Sequence, residues 1–327
     1  MKSLECIVFN VEHGLAIFIK SPNNYGLMID CGGSGNFSPI KWIRAQYNAA
    51  NNNLTYYKGS RRFAELKITH LHKDHFEDVG SFYLHKEDKP KRLLSDKETF
   101  KFVNKKIKEA GSDDSKVKVL KDFKKFREEY NEDSEDVIDY GFESLDKCQL
   151  TYSKAEEVST SDDKIINNRS YVFGITYAGN KIIIPGDIEV EGWGKLLELK
   201  KTQKILSNTN FFVASHHGHK SGFTSKIIEF TGKPDLFIVS AKSGDNHIDS
   251  SYSKNEYCNG YDVLVDGKRV NKKMISTREF NKSIKITIFE NGITKVETID
   301  TADNLNERQK NLITKESAKI QNSLFKK

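Results

Sequence analysis

Three short apolar runs of this chain each end in a cluster of groups able to hold a metal ion. Leu66-Lys67-Ile68-Thr69 leads into His70-Leu71-His72-Lys73-Asp74-His75, and Ile182-Ile183-Ile184 leads into Pro185-Gly186-Asp187. Phe211-Phe212-Val213-Ala214 leads into Ser215-His216-His217-Gly218-His219. Runs of this length and composition read as buried strands. Of the 9 histidines, those at 70, 72, 75, 216, 217, 219 and 247 fall in these clusters or at the late loop, which is not a random scatter. From an extended segment, residues two apart point the same way. His70 and His72 therefore face one point, while Asp74 and His75 turn toward a second point nearby. Imidazole and carboxylate are the ligands that zinc and manganese prefer. Asp187, a lone carboxylate at a strand end, is placed to bridge two ions.

Composition narrows the setting. The 327 residues suffice for a sizeable core as one large domain or two small ones. Hydrophobic residues make up 37% and charged residues 30%, which excludes a disordered chain. No apolar run approaches the roughly 20 residues of a spanning helix, so no membrane segment is expected. Cys6, Cys31, Cys148 and Cys258 are far apart and form no CxxC pair, and the opening Leu4-Glu5-Cys6-Ile7 is too short and too acidic for a signal-peptide core, so none is expected. A reduced, cytoplasmic protein is the expectation. The net charge of +6 hides blocks of opposite sign. Residues 97–127 carry 11 basic and 5 acidic side chains, residues 128–163 carry 2 and 13, and residues 268–327 carry 14 and 7. Such blocks serve either as solvated helix faces or as phosphate contacts.

The remaining pattern mixes strands and helices. Strands are predicted at 7–9, 16–19, 25–29, 171–177, 181–184 and 236–239, with a final hairpin of 284–289 and 294–298 around Asn291-Gly292. Helices are predicted at 39–50, 76–84, 97–108 and 122–130, with a polar terminal helix at 304–325. Two similar halves of strands carrying loops suggest an α/β (α+β) fold in four layers, α/β/β/α, around one core. Residues 1–300 form that domain, with 86–165 as a charged, partly helical insertion and 301–327 as the terminal helix.

His70-x-His72-x-Asp74-His75, followed by a strand-end Asp and then His, resembles the metallo-β-lactamase-fold hydrolases. The finer pattern is similar to the branch that includes the hydrolase domain of the DNA-uptake competence protein ComEC. The likeness runs through Phe9-Asn10-Val11-Glu12-His13-Gly14, Leu27-Met28-Ile29-Asp30-Cys31-Gly32 and Asn167-Asn168-Arg169-Ser170-Tyr171-Val172. It continues through Pro185-Gly186-Asp187, Ser215-His216-His217-Gly218, Ser240 to His247 and Ile275-Ser276-Thr277-Arg278, covering residues 1 to about 298. The resemblance implies that His70, His72, Asp74 and His75 are ligands of two divalent ions, zinc or manganese. Asp187 would bridge them and His216 or His217 would complete one shell. Asp30 would orient a ligand histidine.

Departures from the family pattern are specific. No histidine lies between His75 and Asp187 except His85, too near the motif to serve as the family's third imidazole. Asn168 stands where the competence-type branch also has Asn. The early small-Gly-Asp segment reads His13-Gly14-Leu15 and lacks its carboxylate, and Ile248 replaces the proline expected after His247. His13, His219 and His247 each read as a contributor to the site or as an ordinary loop or cap residue. Lys220 and Lys242 read as phosphate contacts or as solvated lysines. Gly32-Gly33-Ser34-Gly35 lacks the Lys-Ser/Thr of a phosphate loop and is a turn.

The chemistry expected of such a site is hydrolysis by a hydroxide held between two metals, with Asp74 as base or aligner and His217 or His219 protonating the leaving oxygen. Three functions are expected, the first of them from the competence-type resemblance together with the doubled histidine motif and the basic blocks. The first is a metal-dependent phosphodiesterase or nuclease with a nucleic-acid substrate. The second is a hydrolase of a small ester, lactone, thioester or phosphoester. The third is a metal-binding module within a larger complex. A protein partner would meet the charged insertion or the terminal helix.

Overall fold

The structure, a computed structural model, describes residues 2–35, 37–47, 54–60, 62–110, 114–130, 137–242, 244 and 246–301. The helix expected at 304–325 and parts of the charged insertion lie outside the described residues. The first half holds β1 (Ser3–Val8), β2 (Ala16–Lys20), β3 (Gly26–Cys31), α1 (Pro39–Gln46), β4 (Glu65–Lys67) and β5 (Arg92–Leu94). Then come α2 (Phe100–Glu109), α3 (Asp114–Glu128), β6 (Ser144–Cys148), α4 (Tyr152–Glu157) and α5 (Asp162–Asn168). The second half holds β7 (Val172–Tyr177), β8 (Asn180–Ile184), α6 (Val190–Leu196), α7 (Lys200–Leu206), β9 (Phe211–Val213), α8 (Lys226–Thr231) and β10 (Leu236–Val239). The chain continues through β11 (Tyr261–Val265), β12 (Lys268–Lys272), β13 (Met274–Ser276), α9 (Thr277–Phe280), β14 (Ser283–Phe289) and β15 (Thr294–Ile299).

The strands form two mixed sheets, one ordered β12-β11-β15-β14-β1-β2-β3-β4-β5 and the other β13-β10-β9-β8-β7-β6. Strand alternation explains how they share a core. Cys6, Val8, Ile17, Ile19, Leu27 and Ile29 of the first sheet join Phe173, Ile175, Ile182, Ile184, Phe211 and Ile238 of the second in one buried cluster. The opposite faces enter another cluster, where Ile7, Phe18 and Met28 meet Trp42, Ile43 and Phe63. There too Ile183, Phe212 and Phe237 of the second sheet share the cluster with Trp193, Leu196, Ile205 and Leu206 of α6 and α7. All four cysteines are buried and free. Among the described residues no helix is long and apolar enough to cross a membrane.

Local chemistry sets the element ends. Ser38 caps α1 by accepting from the Lys41 N–H at 3.2 Å, with Pro39 at the first helical position. Asp78 reinforces that turn, accepting from the Ile40 N–H at 3.0 Å and the Ser38 hydroxyl at 2.7 Å. Residues 76–84, expected as an α-helix, instead make a 3-10 segment over Val79–Leu84. Gly80 and Ser81 are weak helix formers, and Asp78 is engaged by α1 and the Ser81 hydroxyl. The helix expected at 122–130 begins earlier, as α3. Edge strands β5 and β6 and the β11–β12 hairpin, absent from the sequence reading, lack a clean apolar alternation. Lys268–Lys272 of β12 is almost wholly exposed.

Candidate metal centre

Strand β4 leaves the first sheet at Lys67, and the histidine motif follows within three residues. Gly14 lets the motif come down onto the β1–β2 turn. A Cβ there would lie 2.2 Å from the Asp74 carbonyl oxygen, and its φ of +111° is open chiefly to glycine. On the opposite side, Gly186 in the β8 exit has φ +61°, and a Cβ would sit 2.8 Å from the Thr69 side chain. Ser170 Oγ accepts from the Asp187 N–H at 3.0 Å, and the Tyr171 N–H donates to the Thr69 carbonyl at 2.9 Å. The strand ends of the two sheets therefore meet at His70, His75 and Asp187.

The donor atoms of His70, His75 and Asp187 lie within 4.8 Å of one another, and so do those of Asp74, His75 and His217. His75 is shared. Its Nδ1 donates to Asp30 Oδ2 at 2.7 Å, which aims Nε2 at Asp187 Oδ1, 3.5 Å away, and Asp74 Oδ2, 3.8 Å away. Asp30 also accepts from the Thr69 N–H at 2.7 Å and the Thr69 hydroxyl at 2.6 Å, and it is fully buried. His217 Nε2 lies 3.3 Å from Asp187 Oδ2 and 3.4 Å from Asp74 Oδ2. His70 Nε2 lies 3.9 Å from Asp187 Oδ2 and 3.2 Å from His72 Nδ1.

Charge is concentrated without being neutralised by hydrogen bonds. Nε2 of His72, His75 and His217 are buried and make no hydrogen bond, although carboxylates stand close to each. Burial opposes charge on these rings. For His217 the Asp187 and Asp74 carboxylates overcome it and raise the imidazole to about 10. For His75 the same contest is won by Asp187, Asp30 and Asp74, and its pKa lies well above the ordinary value. His70 goes the other way: burial and the neighbouring His75 hold it well below. Asp187 and Asp74 remain well below the usual carboxylate range, because surrounding imidazoles outweigh burial. The pocket attracts positive charge strongly.

Backbone strain marks the same place. Asp30, His216 and His217 have φ of 54°, 51° and 54°, in the left-handed region that non-glycine residues rarely occupy. The two consecutive left-handed residues decide which imidazole enters. His217 turns between Asp74 and Asp187, whereas His216, expected as a ligand, has its Nδ1 2.9 Å from Ser221 Oγ and joins neither donor group. His219, expected to protonate the leaving oxygen, has Nδ1 2.8 Å from the same hydroxyl. The rings of His216, His219 and His247 run as a chain with centroids 5.7 and 5.8 Å apart, beside the ligand groups and outside them.

The other candidates take various places. His13 is 68% exposed, its Nε2 3.7 Å from Asp74 Oδ2 and its ring 5.3 Å from that of His217, at the mouth of the site. Asn168 is buried away from the donor groups. Its Oδ1 accepts from the Glu189 N–H at 3.0 Å at the start of α6, and its Nδ2 donates to Ser159 Oγ. Lys220 and Lys242 are exposed. Sequence reasoning passed over Asp163 at the start of α5, whose Oδ1 is 3.4 Å from His72 Nε2. It lies within the acidic block, where nothing local separates it from its neighbours. Thr69 and Ser170, which hold Asp30 and Asp187, were equally silent.

The donor set fits divalent ions. Ligand nitrogens about 2.0–2.1 Å from a tetrahedral zinc stand about 3.3 Å apart, close to the 3.2 Å between His70 Nε2 and His72 Nδ1. No family model matches the chain, and no curated protein matches it in sequence.

Proposed function

We propose that this chain is a metal-dependent hydrolase of the metallo-β-lactamase type that cleaves phosphodiester bonds, with nucleic acid as its substrate. One observation carries the reading. Two buried imidazole nitrogens without hydrogen bonds, Nε2 of His75 and Nε2 of His217, converge with the carboxylates of Asp74 and Asp187, an arrangement that a cation completes. The two sheets sharing one apolar cluster, with helices packed in the other, support a four-layer α/β/β/α sandwich.

In this reading His70, His72 and Asp187 would hold one zinc or manganese ion, and Asp74, His75, His217 and Asp187 would hold the other. Ions bound there supply Lewis-acid activation of water and neutralise charge as the phosphorus–oxygen bond breaks. The protein does the rest. Asp30 orients His75, and Gly14 and Gly186 let the two strand ends approach. With His217 among the ligands, His13 and His219 are the imidazoles left to pass a proton to the leaving oxygen, and His13 is the one beside Asp74.

A cleft of about 940 Å³ with more cations than carboxylates in its lining suits a polyanion; it contains none of the donor groups, and its Lys67 and Arg169 are paired with Glu65 and Asp96. It is lined by residues of strands β4, β5 and β6, the end of α3, Arg169 and Tyr171, the last two flanking the Ser170 that holds Asp187. Seven cationic side chains, Lys91, Lys147 and Arg127 among them, stand there against the carboxylates of Glu65, Asp96 and Glu98.

The test pairs metal analysis with a cleavage panel of single- and double-stranded DNA and RNA in Mn²⁺ or Zn²⁺. Wild type is expected to retain metal and cut at least one polymer, and Asp74→Ala and Asp187→Ala are expected to abolish cutting. Undiminished cutting by both variants would sink the mechanism. Hydrolysis of a simple phosphodiester ester without any polymer would transfer the assignment to small substrates.

A further inference from the structure

The His70–His72 pair differs from the His75 centre in how its second imidazole is held. His75 is gripped by buried Asp30 at 2.7 Å. His72 presents Nδ1 to His70 Nε2, 3.2 Å away, and its buried Nε2 has no hydrogen bond inside the site. A neutral imidazole carries one proton, and the nitrogen that carries it cannot bind a metal. Something must keep that proton on Nε2 for Nδ1 to face His70 with its lone pair. Among the described residues the carboxylate at that position is Asp163, with Oδ1 at 3.4 Å.

We propose that Asp163 is a positioning residue for His72: its carboxylate holds the Nε2 proton and so directs the Nδ1 lone pair toward the ion shared with His70. Asp163 does not act alone. Lys106 on α2 places its ammonium 2.8 Å from the same Oδ1, and Lys105 pairs with Asp162 at 2.7 Å. The charged insertion thereby reaches the site through Lys106, Asp163 and His72. Burial explains why the two supports look different. Asp30 is inside the core, held by the Thr69 N–H and hydroxyl. Asp163 is 64% exposed and needs a cation from another element to keep its rotamer.

The inference rests on the metal reading, and the experiment separates the two. The full chain, Asp163→Ala, Asp163→Asn, Lys106→Ala and His72→Ala would be loaded with Zn²⁺, and stoichiometry and affinity measured against a chelator. ¹⁵N shifts of the His72 ring in the metal-free protein would report its tautomer. Wild type is expected to bind two ions with His72 protonated at Nε2. Asp163→Ala is expected to weaken one of the two ions by about 10–100-fold, the scale for a ligand's supporting partner, and to leave His72 in mixed tautomers. Asp163→Asn, whose carbonyl still accepts from Nε2, is expected to restore the tautomer and most of the affinity. Lys106→Ala is expected to shift affinity in the same direction by less. Two ions bound as tightly by Asp163→Ala as by wild type, with His72→Ala losing one, would overturn the role of Asp163 alone. A wild-type protein that binds no ion would overturn the metal reading with it.

Discussion

Two buried polar regions of this molecule handle charge in opposite ways. Around Asp88, which is fully buried, two guanidinium groups converge: Arg44 Nε donates to Oδ2 at 2.5 Å, and Arg62 Nη1 donates to Oδ1. Each also donates to a backbone carbonyl, Arg44 to that of Ser81 and Arg62 to that of Tyr47. Arg169 and Asp96 repeat the pattern, with a fork of 3.0 and 2.5 Å. These are closed networks in which every charge meets a directional partner. The Asp74–His75–Asp187–His217 region is open. Its carboxylates face Nε2 of His75 and of His217, neither of which makes a hydrogen bond. A closed network needs nothing further, whereas the open one has donor atoms for the cation proposed above. Burial and charge alone would not have told the two regions apart; the unfilled nitrogens do.

The sharpest way to break the contrast is to remove the centre of the closed network. Asp88→Ala leaves two buried guanidinium groups without an anion, and a loss of about 3–5 kcal/mol is expected from urea denaturation. Metal stoichiometry of the folded fraction should be unchanged. Loss of metal at full stability would mean that the two regions are one.

A smaller effect separates Asp78 from both. Burial raises its carboxyl to about 6 from 3.8 despite hydrogen bonds from Ser81, Ile40 and Ser38. The folded state therefore binds this proton more tightly than the unfolded chain. The stabilisation is fully present below pH 3.8 and is lost as pH rises through about 6. At most about 3 kcal/mol is involved, taking about 1.4 kcal/mol for each pH unit. Asp78→Asn should flatten that part of the stability profile relative to wild type. An unchanged slope would show that Asp78 is not its source.

The smallest effect tests the open region's internal support. Asp30→Asn keeps the shape beside His75 and removes the negative charge. Metal affinity is expected to fall by about 10–100-fold, with the effect confined to the one ion assigned to His75. Isothermal titration against Asp163→Ala would show whether the two supports act on different ions. Identical titrations from both variants would contradict the separation of the two centres.

Much of this region was legible in the chain. His70, His72, Asp74, His75 and Asp187 are placed by strand ends and by two-residue spacing, both of which are local properties. The core strand 236–239 was legible because a fully buried strand writes a continuous apolar run, and strands 171–177 and 181–184 because β-rich segments flank the Ala178-Gly179-Asn180 turn. Edge strands β5 and β6 were not, since one side of each faces the cleft and their residues are mixed in character. The choice between His216 and His217 was also hidden. It depends on two left-handed backbone conformations that no residue at 216 or 217 advertises, because neither is glycine or asparagine.

What the sequence determined by itself was the kind of chemistry at each strand end, because alternation and motif spacing act over a few residues. The tertiary structure decided which groups meet. Asp30 reaches His75 across 45 positions, Asp163 reaches His72 across 91, and Lys106 reaches Asp163 across 57. Those partnerships come from the packing of two sheets and an inserted helix, and an ion pair carries no periodic trace along the chain. The excess charge in the blocks likewise gained meaning only in space, where Lys106 and Asp163, drawn from blocks of opposite sign, meet beside an imidazole.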